Sequence, residues 1–104
     1  MRTYVITGSA SGIGLATATM LHARGDVVIG VDRHDAEVVA DLSTEQDRQD
    51  MVRAVTERTD GHIDAVVANA GLATPTAATV AVNYYGAVAT LEGLRPLLLR
   101  SPNP

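Results

Sequence analysis

The chain has 104 residues, is 46% hydrophobic and 19% charged, and carries a formal net charge of -4, a globular composition sufficient for one domain around one core. It has no Cys, Trp or Phe, and its eight basic residues are all Arg, so disulfide frameworks, thiolate metal sites, cysteine nucleophiles, Schiff-base lysines and Walker lysines are excluded. The acidic balance argues against nucleic acid or an anionic membrane surface as main partner. No apolar run approaches the roughly 18 residues that a membrane span needs. Met1–Tyr4 leads straight into a strand-like segment rather than a signal peptide, so a soluble cytoplasmic protein is expected.

Tyr4–Thr7 is a β-prone run ending at Gly8, and a continuous apolar strand followed by glycine suits a parallel sheet buried on both faces. Gly8–Gly14 reads as a small-residue loop. From Ile13 to Arg24 the apolar residues Ile13, Ala16, Met20 and Leu21 recur at helical spacing, and Gly25 stops the helix. Val27–Val31 is the next strand, ending at Asp32. Val38–Ala40 is a shorter one, ending at Asp41. Ser43-x-x-Gln46 fits a capping box opening a helix to about Thr59, with Met51, Val52 and Val55 on its inner face. Its charged residues, Arg48 among them, read as a solvated face. Ile63 and Ala65–Ala68 form a fourth strand ending at Asn69, and residues 72–79 read as a loop.

A last helix spans about Val80–Leu99, with Tyr84, Ala87, Val88, Leu91, Leu94 and Leu98 as its apolar stripe. Pro96 is expected to kink it or end it early. No repeat, linker or low-complexity tract divides residues 1–104, which read as a single domain. Strands separated by helical crossovers imply an α/β fold with a parallel sheet of about four strands, right-handed connections and helices on both faces. That is the first half of a doubly wound, Rossmann-type dinucleotide fold.

Thr7–Gly14 lies where strand gives way to helix. Glycines there permit a tight turn and let backbone N–H groups approach a phosphate, at the positive end of the helix dipole. Asp32 ends the second strand at the spacing from these glycines that dinucleotide binding requires. Its carboxylate suits both ribose hydroxyls of an adenosine and repels a 2′-phosphate, which favours NAD over NADP. Arg33 is a natural 2′-phosphate partner but stands farther from the ribose. His22, His34 and His62 lack carboxylate-rich ligand spacing, so no metal site is expected.

Thr7-Gly8-x-x-x-Gly12-x-Gly14, Asp32, Asp41-Leu42, Asn69-Ala70-Gly71 and Asn83 within Val82-Asn83-Tyr84-Tyr85-Gly86 occur in this order across almost the whole chain. In this set the chain resembles the short-chain dehydrogenase/reductase family. The short stretch from Asn69 to Asn83 is similar to that of its 3α-hydroxysteroid dehydrogenase/carbonyl reductase-like members. The resemblance implies an oxidoreductase moving a hydride between nicotinamide and the carbonyl or alcohol carbon of a small molecule. It implies that Gly8, Ser9, Ser11, Gly12, Ile13 and Gly14 of the glycine-rich loop bind the cofactor, together with Asp32 at the ribose and Arg33 beside it. Asp41 would hydrogen-bond the adenine amino group, with Leu42 near the ring. Asn69, Ala70 and Gly71 would stabilise the sheet beside the cofactor. Asn83 would be the helix asparagine whose backbone carbonyl holds a water of the proton relay.

One departure bears on chemistry. The family's catalytic Ser and Tyr-x-x-x-Lys lie downstream of the Asn83 helix, and four residues after Tyr84 and Tyr85 stand Val88 and Ala89. Both tyrosines read as helix residues that pack or face solvent. The chain alone is therefore expected to be catalytically inactive, as a truncated or split portion of such an enzyme. Its fourth strand, left at an edge, invites pairing with another chain, so either a homo-oligomer or a missing segment that completes the sheet is expected. Two other readings stay open. One is a non-catalytic nucleotide-binding or regulatory module. The other is a methyltransferase-like fold holding S-adenosylmethionine, which Asn69–Gly71 and Asn83 disfavour.

Overall fold

The computed structural model describes residues 1–104. Four strands, β1 (Thr3–Thr7), β2 (Val27–Asp32), β3 (Val38–Val39) and β4 (Ala65–Ala68), form one sheet in the order β3-β2-β1-β4. All three pairings are parallel, with Val5 opposite both Ile29 and Val66. Helix α1 (Gly12–Ala23) carries the chain from β1 to β2, and α2 (Glu45–Arg58) carries it from β3 to β4. These crossovers step across the sheet in opposite directions, so right-handed connections put their helices on opposite faces. β2 and β3, also parallel, are joined by residues 33–37 without a helix. Val31 pairs with Val38 and Asp32 with Val39, so β3 ends level with β2 and the chain runs on to Asp41 and Leu42 beyond the sheet's C-terminal edge.

The main core lies under α2 and the last helix, where Val5, Ile29, Val31, Met51, Val55, Ile63, Leu94 and Leu97 are buried together. The chain spends Val and Ile on strands, where β-branched side chains pack well, and Met and Leu on helices. No helix is long and apolar enough to cross a membrane.

Several sequence expectations shift. On α1 the buried positions are Gly14 and Leu21, while Ile13, Ala16 and Met20 are exposed. The helix approaches the sheet so closely that a glycine must face it, which rotates the stripe by one residue. The cap of α2 is Thr44 rather than Ser43: its hydroxyl accepts from the Asp47 amide at 3.2 Å. Ser43 instead donates its amide to Asp41 Oδ1 at 3.0 Å.

The last helix starts earlier than expected, as α3 (Ala77–Val80). It passes through a π-helical segment (Ala81–Gly86) and continues as α4 (Ala87–Leu99). The wider i→i+5 turns change which residues face inward. Val82, Gly86, Thr90, Leu94 and Leu97 are buried, while Tyr84, Val88 and Leu91 of the expected stripe are exposed. Buried Thr90 satisfies its hydroxyl on the Gly86 carbonyl at 2.7 Å. Pro96 does not end the helix early; Leu94 and Leu97, buried on either side of it, hold the segment to the core.

The N-terminal end of the sheet is closed by Asp64, which is 7% exposed. It accepts from the Thr3 amide at 2.8 Å and from the Ser101 hydroxyl. These bonds hold its carboxyl below the usual carboxylate range, Ser101 contributing most.

Candidate functional site

The strand order reverses around β1, which lies between β2 and β4. In open parallel sheets the crevice beyond the strand ends at such a point is where ligands bind. Gly8, with φ of 74°, turns the chain away from β1. Its amide donates to the Val31 carbonyl at 2.7 Å. A Cβ on Gly8 would lie 2.9 Å from Asn69 Nδ2 and 3.0 Å from Ala70 Cα, so the turn after β4 requires a bare backbone here. Ser11 is the N-cap of α1 but makes no side-chain cap bond, and the first turn holds no acidic residue. The first amides of α1 are therefore free for an external anion. Gly12, with φ of 58°, has nothing within 4 Å of where its Cβ would stand.

Gly14 meets close neighbours where Gly12 does not. A Cβ there would run into the Gly8 carbonyl oxygen and lie 2.7 Å from Asn69 Nδ2. Its bare backbone lets α1 pack against the turns that follow β1 and β4. Ser9 is also displaced from its expected place. It is buried, and its side chain abuts Gly30 in a second groove between α1 and β2, away from the cleft.

Asp32 is tied in on both oxygens. Oδ2 accepts from the Ala10 amide at 2.9 Å and Oδ1 from the Arg33 amide at 2.7 Å. The carboxylate thus holds the glycine-rich loop to β2, and each oxygen keeps a lone pair for a further donor. Asp41 Oδ1 accepts from Ser43, and that hydrogen bonding lowers its pKa, with Arg33 adding a smaller coulombic pull. The Asp41 amide donates to Asp47 Oδ2 at 2.7 Å. Asp41 therefore shapes the turn into α2 and also borders the cleft.

The turn after β4 is clamped from two sides. The Ala70 amide donates to the Thr7 hydroxyl at 3.0 Å, and Asn69 Nδ2 reaches the Gly8 carbonyl at 3.4 Å. From the π-helical segment the Asn83 amide grips Leu72, accepting from its N–H at 2.8 Å and donating to its carbonyl at 3.0 Å. Asn83 stands off the cleft and fixes the loop that borders it.

One cleft of about 310 Å³ gathers most of the expected residues: Gly8, Ser11, Gly12, Ile13, Asp32, Arg33, Asp41, Leu42, Asn69, Ala70 and Gly71. Ser9, Gly14 and Asn83 are not among its lining residues. Val31, His34, Ala40, Leu72 and Val82, none of them expected as site residues from sequence, complete the walls. Val82 adjoins Asn83, but only the π-helical register shows that it faces inward. Arg48 also departs from its expected place. It is half-buried and reaches back to the Leu42 carbonyl at 2.9 Å instead of standing on a solvated face.

Fold and cleft together define a doubly wound nucleotide-binding architecture. The short chain dehydrogenase family model matches residues 2–103, and the chain belongs to the short-chain dehydrogenase/reductase family. It is 38% identical over 107 residues to the 3-alpha-hydroxysteroid dehydrogenase/carbonyl reductase of Comamonas testosteroni, covering 100% of this chain and 42% of that protein. The crystal structure of the 3-alpha-hydroxysteroid dehydrogenase from Pseudomonas sp. B-0831 complexed with NADH matches with a TM-score of 0.91 and 46% identity, over 94% of this chain and 40% of that one. The cis-4-hydroxycyclohexanecarboxylate dehydrogenase of Sinomonas cyclohexanicum is 41% identical over 91 residues, 73% of this chain and 36% of that protein. The chain spans about two-fifths of the length of these relatives.

Proposed function

We propose that the chain binds NAD(H) in this cleft, as the cofactor-binding portion of a short-chain oxidoreductase acting on a small carbonyl or alcohol. The observation that carries this reading is the convergence of an uncapped helix N-terminus and a strand-end carboxylate on one cleft. The free amides at the start of α1 would hold the pyrophosphate, with Gly12 leaving room for it. Asp32, oriented by Ala10, would take the adenosine ribose hydroxyls and reject a 2′-phosphate. Asp41 and Leu42 would border the adenine. The NADH complex of the related 3-alpha-hydroxysteroid dehydrogenase supports the choice of ligand.

Bound NAD(H) would supply the hydride. The chain's own residues would bind and orient it, Asn83 by pinning Leu72. A tyrosine needs a neighbouring cation to act as acid or base at neutral pH. Tyr84 and Tyr85 are exposed helix residues, and the chain has no Lys. We therefore propose binding without turnover by these 104 residues. The test is calorimetric titration of the folded chain with NADH, NADPH and S-adenosylmethionine. NADH should bind, and more tightly than NADPH. A folded chain that binds neither dinucleotide, or prefers S-adenosylmethionine, overturns the reading.

A further inference from the structure

Arg48 lies outside the cleft and makes no ion pair. Its guanidinium is spent on backbone carbonyls from two distant parts of the chain. Nε donates to the Leu42 carbonyl at 2.9 Å, and Nη2 donates to the Ser43 carbonyl at 3.2 Å and the Ala81 carbonyl at 3.4 Å. Its Cζ also stands 5.8 Å from the centre of the Tyr85 ring. Leu42 and Val82, next to these anchors, are buried residues that line the cleft from opposite segments. Between them the backbones nearly touch. A Cβ on Gly86 would lie 3.2 Å from Leu42 Cβ and 3.3 Å from the Leu42 carbonyl oxygen.

Such an approach brings carbonyl dipoles together and leaves little room for water to separate them. A planar, permanently charged fork can serve several carbonyls at once, which a point-charge ammonium does less well. The π-helical segment adds to the need, since its wider turns are a rarely used backbone state.

We propose that Arg48 is a positioning residue for the adenosine end of the cofactor, fastening the Leu42 wall to the Val82 wall without entering the cleft. This rests on the NAD(H) reading above. The variants are Arg48→Met, which keeps the apolar stem, and Arg48→Lys, which keeps the charge. The 104-residue chain and both variants are titrated with NADH, and their melting is followed by circular dichroism. Loss of the charge-assisted bonds should weaken NADH binding about tenfold in Arg48→Met. Arg48→Lys should recover only part of the loss. In the unmodified chain the Arg48 Nε–H resonance should also shift on saturation with ADP-ribose, although Arg48 borders no part of the cleft. A staple that only stabilises the fold leaves that resonance unmoved.

If the unmodified chain binds no dinucleotide, the cofactor reading fails and the proposal falls with it. If it binds NADH and both folded variants bind within twofold, the proposal alone is overturned. If the variants unfold, the Nε–H resonance decides, and an unmoved peak overturns the proposal.

Discussion

Gly12 and Gly14 stand two residues apart in one motif, yet they should fail in different ways when given a methyl group. At Gly14 the added Cβ runs into the Gly8 carbonyl oxygen and lies 2.7 Å from Asn69 Nδ2, whereas ordinary contact begins at 3.4 Å. The neighbours are the Gly8 backbone and the Asn69 amide, which is hydrogen-bonded to that same backbone, so α1 itself must retreat by roughly 1 Å. Overpacking of this kind costs about 3 kcal/mol, the upper part of its range. In a domain of this size that lowers the melting temperature by about 12–24 °C. At Gly12 the Cβ meets nothing, but φ of 58° strains any L side chain. That costs about 1 kcal/mol, or about 4–8 °C. The methyl group would, however, occupy the space left for the pyrophosphate, so NADH affinity should fall about tenfold or more. Thermal melts by circular dichroism and NADH titrations of both variants test this. A Gly14→Ala chain that melts within a few degrees of the unmodified one refutes the packing argument. A Gly12→Ala chain with unchanged NADH affinity refutes the placement of the phosphates.

Asp32→Ala should narrow or reverse the preference for NADH over NADPH and speed hydrogen exchange at the Ala10 amide, which loses its acceptor. Asp32→Asn should change the preference while leaving that amide protected; an unchanged preference in both would make Asp32 a loop fastener only. Hydrogen bonds from Ser43 to Asp41 and from Ser101 to Asp64 hold both carboxyls below the usual carboxylate range in the folded chain. Their stabilisation is complete above the unfolded-state value and is lost as pH falls from about 4 through the folded-state values. Urea unfolding should therefore show falling stability over that acid window, and Asp64→Asn should flatten the fall. Steady-state assays of a carbonyl panel with NADH should show no rate above the protein-free background. Light scattering should find association at micromolar concentration, because β4 is an apolar strand at the sheet edge; a stable monomer contradicts that step.

The parts of this protein legible from sequence are those set by local pattern. Apolar runs closed by Gly8, Asp32 and Asn69 mark three strands, and Met51, Val52 and Val55 mark the inner face of α2, where Met51 and Val55 are buried. The glycines and Asp32 stand out as candidate binding residues because phosphate approach and ribose recognition demand those residue types at that spacing. The motif did not tell apart the glycine with open space at its Cβ from the one pressed against the turns after β1 and β4. Gly12 and Gly14 differ in backbone angle and in what stands opposite them.

Contacts between distant segments decided the rest. The last helix keeps a helical period, with Val82, Gly86, Thr90, Leu94 and Leu97 buried, but the face it buries is set by packing: Gly86 meets Leu42 and Gly93 meets Val52, contacts between segments far apart in the chain. Ser9 turned away from the cleft because the loop buries it against Gly30. Asn83 was recognisable as a motif residue, but its bidentate grip on Leu72 reaches eleven residues back along the chain and exists only after folding. Arg48 on its own reads as one charge among several on a helix. Only the meeting of Leu42, Ser43 and Ala81 around its guanidinium gives it a task. Periodicity and residue chemistry are properties of neighbours in the chain, whereas the partner of a hydrogen-bonding group or the clearance of a Cβ is a property of neighbours in space.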